Sequence, residues 1–253
     1  MIYDLQKACA WKRISAWLFD AILLGILAVF VGFCISVLMN YDSYSQTLST
    51  RYAAMEQEYG VSLSITQEEY DLLEPQKQQA FLKASQAISE DEAARKAYAM
   101  MINLSLLISS LGLLTASLIL EFMVPLALGN GQTLGKKIFS IGVMSTSGVK
   151  VRNVQMFIRA ILGKYTIETM VPVLAGTLAF FGSLGIYGTG LILGLGVLQL
   201  ILFAATSTNS LIHDLLASTV VIDMPSQMIF ASEEEMQEYK ARRQAEREAH
   251  PYD

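Results

Sequence analysis

Charge is what this sequence has least of. Only 16% of its 253 residues are Asp, Glu, Lys or Arg, against 53% hydrophobic; a soluble domain carries about 25% charged and about 45–50% apolar residues. The deficit excludes a soluble globular enzyme and directs attention to apolar runs of bilayer length. Cysteine is scarce too. Cys9 and Cys34 cannot build a disulfide framework and read as unpaired thiols, one inside an apolar run and one just before it. No nucleophile constellation or metal-ligand spacing surrounds the one His-Asp pair, His213-Asp214, so the reading is no enzyme, no cofactor and no metal. The net charge of -5 averages segments of opposite sign and says little about partners; no nucleic-acid partner is expected.

What is present is a series of long apolar stretches. Residues 14–38 hold a single ionisable group, Asp20, and exceed the roughly 20 residues a spanning helix needs. Lys7, Lys12 and Arg13 precede the run as they would precede a signal peptide. Its length and the lack of a small-x-small cleavage site predict a retained anchor, with residues 1–40 as N-terminus and first span. Trp11 and Trp17 at one end and Tyr41 and Tyr44 at the other suit interfacial belts. Residues 41–99 are polar and acidic. Between 40 and 99 ten acids stand against five bases, and two or three short helices are expected, with capping boxes at Thr66–Glu69 and Ser89–Glu92 and Pro75 in a first turn. Residues 100–128 form the second span, carrying Glu121 and Pro125.

Residues 129–168 follow. Lys136, Lys137, Lys150, Arg152, Arg159 and Lys164 lie between 129 and 167 with no acid among them, which places this segment in the cytoplasm and 41–99 outside. The apolar stretch 169–206 is too long for one crossing. Glycines at 182, 185, 188 and 190 predict a turn between helices at about 169–186 and 189–206, with Gly190, Gly194 and Gly196 letting helices approach. Four crossings leave both termini in the cytoplasm of a multi-pass plasma-membrane protein. Residues 207–231 carry His213-Asp214 and a strand-like TVVI; residues 232–253 form a mixed-charge, solvated helix with a capping box at Ser232–Glu235. IGVMSTSGVKV alternates about Ser147-Gly148 as a small hairpin that TVVI could extend. The predicted architecture is therefore an all-α membrane protein, a polytopic bundle of about four transmembrane helices with interfacial helices and a small cytoplasmic β element.

Asp20 and Glu121 carry the chemical interest. An ionised carboxylate at mid-helix costs about 2.5–3.5 kcal/mol on insertion scales, so each should face the bundle. Each sits seven residues from a cytoplasmic helix end, which puts both at one depth, roughly 10 Å in, where they could share a proton or hold a monovalent cation or equally serve as assembly glue. Pro125 removes the hydrogen bond to the Glu121 carbonyl and favours a kink there. Arg13 shares a helical face with Asp20. GQTLGKK fails as a phosphate loop because Lys136 is followed by Lys137. Lys136, Lys137, Arg159 and Lys164 beside Ile138, Phe139, Phe157, Ile158 and Leu162 instead suit interfacial helices on anionic lipid.

Together these residues resemble the RDD family of bacterial and archaeal membrane proteins. Arg13 and Asp20 in WKRISAWLFDAILL are similar to the family's arginine and first aspartate. Thr133, Gly135 and Lys136 in GNGQTLGKKIFSIGVMS resemble its glycine-lysine segment, Arg159 in MFIRAIL its later arginine, and His213 and Asp214 in HDLLASTVVI its terminal element. The resemblance covers about 10–40 and 105–223, with 40–99 as an insertion. It implies the sodium or potassium/proton exchange of some members. Separately, four helices are few for a transport path, so a transporter of this kind is expected as a homo-oligomer. The alternative is a non-transporting assembly factor, scaffold or sensor, in which an Arg13–Asp214 salt bridge would tie the first helix to the inner layer.

Overall fold

A computed structural model describes residues 5–180, 182 and 184–249. Two compact units emerge, Met1–Val31 with Ser110–Asp253, and Gly32–Ser109. Three helices among the described residues are long and apolar enough to cross a membrane: Ala10–Leu38, Glu92–Leu128 and Gly185–Ala205.

The first, α1 (Ala10–Leu38), buries only Ala16 and Asp20 and leaves Trp17, Ile22, Ile26 and Phe30 exposed. That is the inverse of a soluble helix and suits contact with lipid. The polar insertion folds as α2 (Tyr41–Tyr59), α3 (Gln67–Asp71) and α4 (Pro75–Glu90), followed by α5 (Glu92–Ser117). α2 packs on α4, where Ala84 and Ile88 are buried. The box at Thr66 forms: Glu69 N donates to Thr66 Oγ1 (3.3 Å) and Thr66 N donates to Glu69 Oε2 (2.8 Å). Pro75 takes the first turn of α4. The box expected at Ser89 does not form. α4 runs on to Glu90, so Ser89 Oγ donates back to Gln86 O (2.7 Å) and Asp91 becomes the cap of α5, accepting from Ala94 N (2.7 Å).

Beyond α5 the helix continues as a π-helical stretch, π1 (Leu118–Met123), and then α6 (Val124–Leu128). A short α7 (Leu134–Ile138) leads to β1 (Ile141–Ser145). Then come α8 (Asn153–Phe157), a long π helix, π2 (Ile158–Met170), and α9 (Val171–Phe180). After α10 (Gly185–Ala205), the chain closes with α11 (Ile212–Leu216), β2 (Thr219–Asp223) and α12 (Glu233–Ala249). β1 and β2 are antiparallel, with Val143 opposite Val221. TVVI therefore pairs as a strand, and the expected hairpin closes at its turn, where Ser145 N donates to Val149 O (3.0 Å), without a second strand. The turn at Gly148 is made, with φ +89°; beyond it Lys150 bridges back to Met144. Lys150 N instead donates to Phe230 O (2.8 Å), and Val149 packs with Phe230 and Met236 of α12. At the start of α12, Glu235 N donates to Ser232 Oγ (3.2 Å) while its side chain accepts from Ala231 N, which is half of a capping box.

The stretch read as 169–206 does contain two helices, α9 and α10, separated by a turn at Gly182 (φ +75°). α9 is the upper half of a continuous helix over 158–180 whose lower half is π2 and carries Arg159, Lys164 and Glu168. Gly190, Gly194 and Gly196 meet nothing within 4 Å; Gly188 is the one that lets α10 approach, since a Cβ there would lie 3.1 Å from the Ala175 carbonyl of α9.

Candidate functional site

All the charged groups of interest lie in the unit containing α1 and the C-terminal half. Asp20 sits one turn above buried Ala16 on α1 and meets the first turn of α7. Thr133 Oγ1 donates to Asp20 Oδ2, and Gly135 N donates to Asp20 Oδ1 (2.8 Å). Lys136 N in turn donates to Thr133 Oγ1 (3.3 Å). The carboxylate therefore satisfies one backbone N–H in the first turn of a helix. Gly135 is required by close approach: a Cβ there would collide with the Ala16 carbonyl and lie 3.0 Å from the Asp20 carboxylate.

Arg13, two turns before Asp20, does not reach it. Arg13 Nη2 donates to Asp214 Oδ2 (3.2 Å) and Nη1 to Asn209 O (2.7 Å), with the guanidinium 5.2 Å from the Phe203 ring. Arg159 takes the other Asp214 oxygen and also donates to Thr219 Oγ1 (2.8 Å). The bridge expected between Arg13 and Asp214 is thus present, with Arg159 as a second cation on the same acid. Burial raises the Asp214 carboxyl, but Arg159, His213 and Arg13 outweigh it and hold the group well below the ordinary carboxylate range.

The two π helices arrange the remaining ions. Their bonds run from i to i+5, so residues about five apart share a face. Arg159, Lys164 and Glu168 follow that spacing along π2; α-helical geometry would splay them. Lys164 Nζ lies 2.6 Å from Glu121 Oε1 of π1. Glu168 holds His213 through both carboxylate oxygens, 2.8 and 2.7 Å from Nδ1, and accepts from His213 N (3.0 Å). Gly163 makes room, because a Cβ there would strike His213 Cβ. Burial and Arg159 hold the His213 imidazole below its ordinary value, against Asp214 and Glu168.

Glu168 is the site residue that sequence reasoning missed. The basic segment was counted to residue 167 and the apolar stretch from 169, and Glu168 fell between them. A signal was available: EFMVPLALG at 121–129 and ETMVPVLAG at 168–176 are two copies of one pattern. In both, a glutamate stands four residues before a proline that has no N–H to offer the glutamate carbonyl, and in both the π segment ends at the valine before that proline. Val124 N bonds to Ile119 O and Val171 N to Thr166 O. The break expected at Pro125 is therefore a change of helical type. Asp20 and Glu121 make no hydrogen bond or ion pair with each other among the described residues; each has its own partners.

Lys136 was read as a lipid-facing surface lysine beside Lys137. It is buried, 7% exposed, because Thr133 and Gly135 pin the start of α7 against α1. Lys137 is exposed. Among the described residues Lys136 Nζ is the one buried side-chain polar atom with no hydrogen-bond partner. Burial, then Arg159 and Lys164, push its pKa down to about 7; Glu121 and Asp20 pull the other way and lose. A cavity of about 460 Å³ opens beside it, and its lining includes Arg13, Asp20, Arg159, Lys164 and Glu168 with Lys136 itself. No group of three or more His, Cys, Asp or Glu side chains that could hold a metal ion occurs among the described residues.

A model of the RDD family matches residues 7–218, a range that takes in Arg13, Asp20, the Thr133–Lys136 turn, Arg159 and His213-Asp214. No curated protein and no solved structure matches the chain.

Proposed function

The chain belongs to the RDD family, and on that premise we propose that this membrane protein exchanges a proton for a monovalent cation at the cluster around Lys136. The observation that carries the reading is the buried Lys136 ammonium without a partner. Arg13, Asp20, Arg159, Lys164 and Glu168 line the same cavity, and ion pairs extend this cluster to Glu121 through Lys164 and to Asp214 through Arg13 and Arg159. With Lys136 protonated and His213 neutral, four positive charges balance four negative ones. When Lys136 loses its proton the cluster is one charge short, which one monovalent cation restores. Proton and cation are then alternatives at one site, the condition for electroneutral exchange.

The test is proton flux in proteoliposomes carrying the purified chain, with sodium and potassium pulses. Cation-dependent proton movement that is lost in Lys136→Met at equal abundance supports exchange. No flux from well-inserted wild-type protein overturns it.

The Arg13–Asp214–Arg159 clamp favours a second reading, a non-catalytic scaffold or assembly factor whose first helix is locked to its C-terminal layer. In that case the clamp variants would change abundance and partner capture, and no ion would move. In both readings the basic segment 129–167 supports a cytoplasmic placement of the cluster and of both termini.

A further inference from the structure

Lys136 stands in a positive field before its own charge is counted. Arg159 and Lys164 act on its ammonium more strongly than Glu121 and Asp20 do. The acids of the cluster are also committed. Asp20 accepts from Thr133 and Gly135, Glu168 from His213, while Asp214 meets Arg13 and Arg159 and Glu121 meets Lys164. The shortage is therefore of acceptors. Lys136 Nζ has none among the described residues. Arg159 reaches Asp214 and Thr219 through Nη1 and, among the described residues, keeps Nη2 for another acceptor. An anion against these two side chains makes charge-assisted hydrogen bonds to both. The cavity they line, about 460 Å³, falls in the range of organic ligands, about 300–1,000 Å³, and exceeds what one inorganic anion fills. Its lining is apolar as well as cationic, with Ile14 and Trp17 from α1 and Leu200 and Phe203 from α10. Trp17 is 60% and Leu200 71% exposed, on helices apolar enough to cross a bilayer. Gly196 of α10 also lines it, and a Cβ there would meet nothing within 4 Å, which leaves room for a chain. Cationic and lipid-exposed apolar side chains in one lining match an anionic amphiphile.

We propose that the cavity binds an anionic glycerophospholipid, its phosphodiester against Lys136 and Arg159 and an acyl chain along Trp17 and Leu200. Basic pockets beside membrane helices suit such headgroups. The groups that share the cavity with Lys136 or act on its charge are Arg13 and Asp20 of α1, Glu121 of π1, Arg159, Lys164 and Glu168 of π2 and His213 of α11. Only the ammonium form of Lys136 pairs with a phosphodiester, so the bound lipid holds that proton in place. Lipid binding requires no ion to move, so it and cation exchange stand or fall separately.

The experiment uses the full chain in phosphatidylcholine bilayers with a rising minor fraction of phosphatidylglycerol whose acyl chains are brominated. A parallel series carries brominated phosphatidylcholine instead. Bromine quenches an indole that it touches, and a Trp11→Phe background leaves Trp17 as the reporter. At pH 6 phosphatidylglycerol should quench Trp17 at about a fivefold lower fraction than phosphatidylcholine, the factor that about 1 kcal/mol per basic residue corresponds to. Lys136→Met should remove this preference. Lys137→Met, an equal loss of charge at an exposed position, should keep it. From pH 6 to pH 9 the wild type should lose the preference as Lys136 gives up its proton, and Lys136→Met should stay flat, because proton and lipid favour each other by one common factor. Equal quenching by the two lipids in wild type overturns the proposal. So does a loss in Lys137→Met as large as in Lys136→Met, which marks attraction by the membrane surface alone. If glycerophosphoglycerol, the same headgroup without chains, cancels the preference at comparable concentration, the cavity takes a free anion and the lipid falls. Should Lys136→Met fail to insert, the preference and pH dependence of the wild type, set against Lys137→Met, still decide the matter.

Discussion

Gly135 and Gly163 are glycines for reasons of space: one lets an α7 N–H reach Asp20, the other lets His213 lie against π2. Gly135→Ala should lower stability by about 1–3 kcal/mol, the usual cost of overpacking, read as a fall in Tm of the detergent-solubilised protein; an unchanged Tm would mean that α1 and α7 are not packed as described. Lys136 gives the opposite sign. Its pKa is about 7 in the fold and about 10.4 in a free chain, so between those values the unfolded state binds more protons and stability rises with pH. Below pH 7 both states are protonated and the whole penalty of the buried ammonium is felt. Wild-type Tm should therefore climb from pH 7 toward pH 9.5. Lys136→Met should be more stable than wild type at pH 6 and flatter with pH; a lower Tm at pH 6 would show that the ammonium has a partner after all. Lys136, Thr133 and Gly135 were legible as a motif, but their burial was not. Two adjacent lysines beside apolar residues look like a membrane surface, and only the pinning of α7 by Asp20 turns the first of them inward.

At the scale of the element, the two π helices decide where the ions meet. Local sequence announces the ends of these segments through proline but says little about helical type, because π hydrogen bonding is a choice made by the packing around it. Spans, insertion and strands could be read from hydropathy and alternation. The partners of Asp20, Glu121 and Glu168 could not, since the five-and-four spacing of Arg159, Lys164 and Glu168 looks scattered on an α-helical wheel. Pro172→Ala supplies an N–H to the Glu168 carbonyl and permits an α register. It should leave abundance near wild type and abolish cation-linked proton release; retained release would mean that the π register does not position the site. Glu121→Leu should cost stability by leaving Lys164 without its acid, about 3–5 kcal/mol for a fully buried pair and less here because the Lys164 side chain is 15% exposed. The double variant Glu121→Leu/Lys164→Met should recover most of the loss in thermal unfolding. Additive losses would show that the two side chains are not coupled.

At the scale of the whole molecule, the positions that match the family motif resolve into two roles. Asp20, Thr133, Gly135 and Lys136 build the base of a cavity. Arg13, Arg159 and Asp214 build a clamp, whose Arg13–Asp214 half was foreseeable from motif order and topology while Arg159 as its other jaw was not. Arg13→Ala and Asp214→Ala should reduce membrane abundance alike on an immunoblot, and Arg13→Lys should restore little, because an ammonium cannot also reach the Asn209 carbonyl as a guanidinium fork does. Wild-type abundance in either alanine variant would remove the clamp from the account of stability. The clamp also bears on time. Arg13 and Asp214 are 201 residues apart in sequence, and synthesis runs at about 5–20 residues per second. The first helix is thus made, and delivered to the bilayer, long before the acid that secures it exists. Until then its arginine and its aspartate wait without their partners. A ribosome that stops short of residue 214 leaves behind an anchor whose guanidinium has no acid to meet.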